Sequence, residues 1–184
     1  MGGEGQATAA RGMIRPMPPH PPSLARQAVG LVVALAVTYV AAAIGGLGSV
    51  DAPAFYAQLD RPSWAPPAWL FGPAWAVLYT LMAIAAWWVW RAVGWQRARP
   101  ALGVFAAQLL ANALWSWLFF AWRYGAWAFA GALALWALVA ATLLVFWRMH
   151  RPAGLLLLPY LAWVSYAAAL TWSIWQRNPG LLGA

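Results

Sequence analysis

No cysteine and no lysine occur among the 184 residues, and the only acids are Glu4, Asp51 and Asp60. The missing cysteine excludes disulfides, thiolate-held metals and a thiol nucleophile. Three scattered acids leave almost nothing from which to build a paired-carboxylate acid/base site or a Ca²⁺ cage. Charge of either sign is scarce: 8% of residues are charged and 65% are hydrophobic, with a mean hydropathy of +0.67. Soluble domains are typically ~45–50% apolar and ~25% charged. The composition therefore excludes an ordinary water-soluble domain and excludes disorder for most of the chain.

What charge there is divides the chain. All basic residues are Arg, and the uncharged stretches Arg26–Asp51, Arg61–Arg91, Arg99–Arg123, Arg123–Arg148 and Arg151–Arg177 are each longer than the ~20 residues that cross a bilayer as a helix. This spacing predicts an all-α polytopic membrane protein with five transmembrane helices, roughly 26–46, 67–91, 100–122, 126–148 and 153–176. Barrel strands are disfavoured, because they need period-2 alternation and these segments are apolar all round. The first span has a rival reading as a cleavable signal peptide ending near Ala41-Ala42-Ala43. Its length and the preceding prolines favour a retained span.

Residues 1–25 hold Pro16, Pro18, Pro19, Pro21 and Pro22. Proline removes donors and blocks helix, so this segment is expected to be a disordered cytoplasmic tail. Met13 and Met17 are alternative starts, and His20 in the tail is expected to be solvated rather than a ligand. Residues 180–184 are expected to be a short C-terminal tail. If the spans alternate sides, eight of the eleven Arg fall on the side of the N-terminus. The positive-inside rule then puts the N-terminus in the cytoplasm and favours a bacterial inner membrane, with an outer membrane as the alternative. The excess positive charge thus reads as topology. With no basic stripe on a soluble domain, a nucleic-acid partner is not expected.

One connection is long, at about 47–66, and within it 53–59 is expected to form a short interfacial helix. Loops of this length are often lids or binding loops. Of the 16 Trp, most sit near span ends, where an amphipathic ring suits the interface. Trp75, Trp115, Trp117, Trp136 and Trp163 lie deeper, and a buried indole N–H needs a partner. In the third span Gln108, Asn112 and Ser116 follow i, i+4, i+8 spacing and share one face beside Trp115. Tyr160, Trp163, Ala167 and Thr171 in the fifth span lie near one face, as do Trp75 and Tyr79 in the second. At ~1.5 Å per residue, Trp75, Asn112, Trp115 and Trp163 lie roughly 10–18 Å below the long-loop side. Three readings fit this pattern: interhelical hydrogen bonding, a filled aromatic core, or a pocket for a flat hydrophobic ligand beneath a lid. His150, beside Arg148 and Arg151, is expected to be a solvated loop residue.

Three blocks carry a resemblance. The first runs Arg61-Pro62-Ser63-Trp64-Ala65-Pro66-Pro67-Ala68-Trp69, then Phe71-Gly72-Pro73-Ala74-Trp75 to Leu78-Tyr79. The second is Gln108-Leu109, Asn112, Trp115-Ser116 and Phe119-Phe120. The third is Pro159-Tyr160-Leu161-Ala162-Trp163, with Tyr166-Ala167 and Leu170. Over about residues 26–179, in order and spacing, the chain resembles the TspO/MBR family, the translocator proteins (peripheral benzodiazepine receptors) and bacterial tryptophan-rich sensory proteins. The resemblance implies a five-helix bundle, usually a homodimer, with a pocket under the first loop. It implies porphyrins (protoporphyrin IX or haem-like), sterols or synthetic isoquinoline and benzodiazepine compounds as ligands, with no obligatory cofactor. It also implies light-dependent degradation of protoporphyrin IX in some bacterial members. Trp75 and Trp163 match the pocket tryptophans tied to that photochemistry, and Asn112 matches a pocket polar residue. Two departures stand out. Phe55 replaces a Trp common in the first loop, and Thr171-Trp172 replaces the Asn-Tyr of the animal sterol pattern, so specific sterol binding is not expected.

The expected ligand-binding set is Arg61, Trp64, Trp75, Tyr79, Gln108, Asn112, Trp115, Ser116, Tyr160, Trp163 and Ala167, with Arg61 placed to meet a porphyrin carboxylate. Gly103, Ala107 and Ala111 form a small-xxx-small ridge, which suits either a homodimer interface or packing within the monomer. The leading function is tetrapyrrole binding for sensing, sequestration or transfer. The second is a light-dependent enzyme in which excited porphyrin is the reactive species and Trp75 and Trp163 exchange electrons with it. The third is a transporter of porphyrin or sterol-like lipids. The lack of intramembrane ionisable residues and of a visible inverted repeat argues against ion-coupled transport.

Overall fold

The computed structural model describes residues 23–183. The expected disordered tail, its alternative starts at Met13 and Met17, and His20 lie outside the described residues. Those described form helices and turns without a strand: α1 Leu24–Leu47, α2 Ala52–Gln58, a 3₁₀ turn Ala68–Leu70, α3 Phe71–Ser116, a π segment Trp117–Ala121, α4 Gly125–Met149, α5 Arg151–Leu155, α6 Leu158–Arg177 and α7 Pro179–Leu182. Four stretches are helical, long and apolar enough to cross a membrane: Leu24–Leu47, Ala68–Ala121, Gly125–Met149 and Arg151–Arg177.

The second of these has 54 residues. Straight, it would be about 81 Å long, against ~30 Å of hydrocarbon. It is not straight. Gly94 has φ 76° and ψ 166° in the middle of α3, a conformation that a residue with a Cβ resists. Met82 and Gln108 would stand about 39 Å apart along an unbroken helix, yet Gln108 Nε2 lies 3.5 Å from Met82 Sδ. The chain therefore doubles back at Gly94 and packs its two arms side by side. The expected spans 67–91 and 100–122 are not separated by a loop: helix continues on both sides of Gly94, and Pro100 is accommodated within the second arm.

α3 packs against α1 on one side and α4 on the other, and α4 packs against α6. α1 buries only Thr38, Ala41 and Gly45, while Val29, Val32, Val33, Val37 and Val40 are exposed, as a lipid-facing surface requires. Within the hydrocarbon every polar group must be satisfied inside the protein. Thr38, Thr142 and Thr171 each donate to the carbonyl four residues back, at 2.7–2.8 Å.

Two cores result. One lies toward the Gly94 end and includes Met82, Val89, Phe105, Val139, Phe146 and Tyr160. The other lies under α2 and includes Phe55, Tyr56, Trp115, Phe119, Ala168 and Ile174. α2 forms close to where the 53–59 helix was expected, and its Phe55 and Tyr56 are buried. The last expected span differs in detail. α5 and α6 are separated at Leu156 and Leu157, with Pro152 and Pro159 in the opening turns, where proline's missing N–H costs nothing. His150 is not a free loop residue: its Nδ1 accepts from Ala153 N at 3.3 Å, capping α5, and its ring lies 5.7 Å from that of Trp88. The expected C-terminal tail contains α7, which buries Leu182.

Candidate ligand cavity

Beneath α2 lies a cavity of about 500 Å³, within the range usual for small-molecule sites. Three walls enclose it. α1 contributes Tyr39, Ala42, Gly45 and Gly46. The first arm of α3 contributes Phe71, Gly72, Trp75, Ala76 and Tyr79. The second arm contributes Asn112, Trp115 and Ser116, joined by Phe120 and by Trp163 and Ala167 of α6. Ser49, Ala52, Pro53 and Tyr56 close the end under the loop.

Helix phase explains who reaches the space. Trp75 and Tyr79 are one turn apart on α3, with ring centroids 5.6 Å apart. Trp163 and Ala167 are one turn apart on α6. Trp75 meets Trp163 at 6.3 Å in an edge-to-face contact and Phe71 meets Trp163 at 6.1 Å, the arrangement preferred by aromatic quadrupoles. The wall is thus a rigid set of rings with few polar atoms.

Asn112 is buried and donates from Nδ2 to the Tyr160 hydroxyl at 2.7 Å. That bond spends one amide proton on protein and fixes the side chain at the cavity wall. Ser116 lines the wall as well, and a Cβ on Gly45 would lie 3.3 Å from its Oγ. Small residues on α1 therefore keep this wall open.

Among the expected site residues, Trp75, Tyr79, Asn112, Trp115, Ser116, Trp163 and Ala167 line the cavity. Four others sit elsewhere. Tyr160 lies behind Asn112. Gln108 is buried against Met82 and its Oε1 has no partner. Trp64 is 48% exposed and packs edge-on against Tyr166 at 5.6 Å. Arg61 lies with its guanidinium 4.8 Å from the Tyr56 ring centre.

The deep tryptophans were expected to find N–H partners. Trp117 donates to the Ile44 carbonyl at 2.9 Å and Trp136 to Ser165 Oγ at 2.8 Å. Trp115, on the cavity wall, has none. Sequence reading missed the whole α1 wall, because its small residues sit in a run that is apolar throughout. The signal that could have found it is the cluster Ala42, Gly45 and Gly46 on a helix otherwise rich in Val. Phe71 and Tyr56 were also missed as wall residues.

The covering loop is tied down from three sides. The Tyr56 hydroxyl donates to the Pro66 carbonyl at 2.9 Å, and the Tyr166 hydroxyl to the Trp64 carbonyl at 2.9 Å. Burial pushes the Tyr56 hydroxyl above its usual pKa, with Arg61 opposing, so it keeps the proton this bond needs. Asn178 holds Asp60 by backbone hydrogen bonds of 2.8 and 2.9 Å, and Arg177 lies 3.7 Å from the Asp60 carboxylate. Arg123, at φ 57° in the turn before α4, sets its guanidinium 4.7 Å from the Phe55 ring.

Comparison with known proteins places this architecture. The profile of the TspO/MBR family matches residues 32–176. Protein CrtK of Rhodobacter capsulatus is 40% identical over 149 residues, 79% of this chain and 92% of that protein. Tryptophan-rich protein TspO of Chlorobaculum tepidum is 40% identical over 143 residues, 74% of this chain and 90% of that protein. The translocator protein of Ovis aries is 39% identical over 128 residues, 68% of this chain and 76% of that protein.

Proposed function

The chain belongs to the TspO/MBR family of membrane proteins, and from that premise we propose that it binds a tetrapyrrole or similarly flat hydrophobic ligand in the cavity beneath α2. One observation carries the reading: Phe71, Trp75, Trp115 and Trp163 line one space of about 500 Å³. Stacking and dispersion against such rings favour a broad planar molecule. Asn112 and Ser116 are the groups available to orient its polar atoms. The role is sensing, sequestration or transfer of the ligand. Arg61, resting on Tyr56 at the loop, would have to swing from that ring to meet a ligand carboxylate.

The protein crosses the membrane five times in this reading, the two arms of α3 counting separately because they fold back at Gly94. The N-terminus then lies in the cytoplasm and the host is a bacterial inner membrane. Two copies pair through Gly103, Ala107 and Ala111. Support for pairing comes from exposure: Gly103 and Ala107 are exposed in the single chain, and a Cβ on Gly103 would meet nothing within 4 Å.

The Trp75–Trp163 contact at 6.3 Å favours a second reading, light-driven degradation of bound protoporphyrin IX. Titration with protoporphyrin IX, dark and then illuminated, followed by Trp fluorescence and porphyrin absorbance, tests both. Saturable quenching that weakens in Trp163→Phe supports binding, and its absence overturns the tetrapyrrole reading. A product formed only in light and lost in Trp75→Phe moves the assignment to the enzyme.

A further inference from the structure

A second and larger cavity, about 650 Å³, lies outside the bundle near the Gly94 turn, between α1 and both arms of α3. Its walls are apolar, formed by residues such as Val33, Trp90, Trp95 and Phe105, and Arg26 lines its mouth. Gly30 lets the Trp90 ring lie directly against α1, since a Cβ there would overlap that ring. Trp87, another wall residue, donates its N–H to the Gln27 carbonyl at 3.0 Å, and the Arg91 guanidinium lies 5.3 Å from the Trp87 ring centre. Arg26 on the lining and Arg91, stacked on the wall residue Trp87, are both exposed.

Among the described residues neither arginine faces an acid. Among the described residues the acids are Asp51 and Asp60, which flank α2 at the far end of α1. α1 has 24 residues, which separates the two ends by about 36 Å. An apolar slot along lipid-facing helices, with positive charge at its mouth and no acid beside it among the described residues, matches an amphiphile with an apolar chain and an anionic head. Basic pockets between membrane helices recognise anionic lipid head groups in this way.

We propose that this groove is a binding site for an anionic phospholipid, with one acyl chain along Val33, Trp90 and Phe105 and the phosphate at Arg26 and Arg91. Any lipid can touch the apolar walls, so selectivity resides in the two arginines. The site is separate from the cavity under α2 and does not depend on what binds there.

Native mass spectrometry of the full-length protein, released from nanodiscs holding equal phosphatidylglycerol and phosphatidylcholine with identical chains, reads the lipid retained. Retained phosphatidylglycerol should exceed phosphatidylcholine by about thirtyfold, the size expected of two interfacial arginines. Arg26→Glu with Arg91→Glu, both at exposed positions, should bring the ratio to about one. Val33→Trp, which fills the slot from an exposed position, should lower retention of both lipids. A wild-type ratio near one overturns the proposal without recourse to any variant. So does a ratio unchanged by the double charge reversal. If Val33→Trp disrupts a dimer while leaving lipid retention unchanged, the groove belongs to a second copy of the chain and the proposal is wrong.

Discussion

Asn178 grips the backbone of Asp60 from both sides: its Oδ1 accepts from Asp60 N at 2.8 Å and its Nδ2 donates to the Asp60 carbonyl at 2.9 Å. The same Nδ2 also reaches the Ile174 carbonyl at 2.8 Å. One side chain thus fastens the covering loop to the end of α6, across 118 residues of sequence.

Asn178→Ala removes that grip and leaves backbone groups of Asp60 without their partners. The expected cost is about 1–3 kcal/mol, felt mainly by the loop. Stopped-flow release of a bound porphyrin should accelerate by about tenfold, with far-UV circular dichroism unchanged. Release at the wild-type rate would mean that the ligand does not leave past this loop.

Gly46 lines the cavity, yet a Cβ there would meet nothing within 4 Å. Gly46→Leu should therefore fill ligand space without straining the protein. Replacing a helical glycine gains roughly 0.5–1 kcal/mol. The thermal midpoint should hold or rise while porphyrin affinity falls at least several-fold. Unchanged affinity in titration would place the ligand elsewhere.

The bond between Asn112 and Tyr160 is buried at both ends. Either Asn112→Leu or Tyr160→Phe leaves one polar group unsatisfied at about 1–3 kcal/mol. The double variant should recover most of that loss, and a denaturation cycle over the four proteins measures the coupling. Additive losses would show that the contact contributes nothing of its own. Porphyrin affinity should fall with Asn112→Leu and stay near wild type with Tyr160→Phe, because only Asn112 lines the cavity.

Gln108 is the reverse case. It is 1% exposed, its Oε1 has no partner, and it stands outside the cavity. Gln108→Met preserves volume and removes an unpaired acceptor, so stability should rise by about 1 kcal/mol or more, with porphyrin titration unaltered. A loss of affinity would mean that Gln108 reaches the ligand after all.

Much of this architecture was legible in one dimension. Charge spacing located the apolar segments because Arg is costly in hydrocarbon and collects at span ends. The i, i+4 pairs Trp75 with Tyr79 and Trp163 with Ala167 read correctly as shared faces, since helix periodicity is local. Gly94 was not legible as a reversal. The basic residues around it suggested a loop, and nothing local distinguishes a loop from a single left-handed glycine. Gln108 and Asn112 share a face by spacing, yet only Asn112 reaches the cavity. That difference is set by what packs opposite, Met82 in one case and the Tyr160 hydroxyl beside the cavity in the other. Arg61 and Trp64 were placed at the ligand by their position in a matching block, whereas the fold turns one onto Tyr56 and the other toward the surface.

A reversal one residue long places two walls with a single pair of backbone angles. Gly94 joins the arm that carries Trp75 to the arm that carries Asn112 and Trp115, so two walls of the cavity are set by one backbone conformation. α1 buries only three residues, Thr38, Ala41 and Gly45, and forms the facing wall by packing against α3. The width of the cavity is thus the distance between α1 and α3, and the Tyr39 and Thr80 hydroxyls, 2.8 Å apart, pin that distance at one edge of the wall.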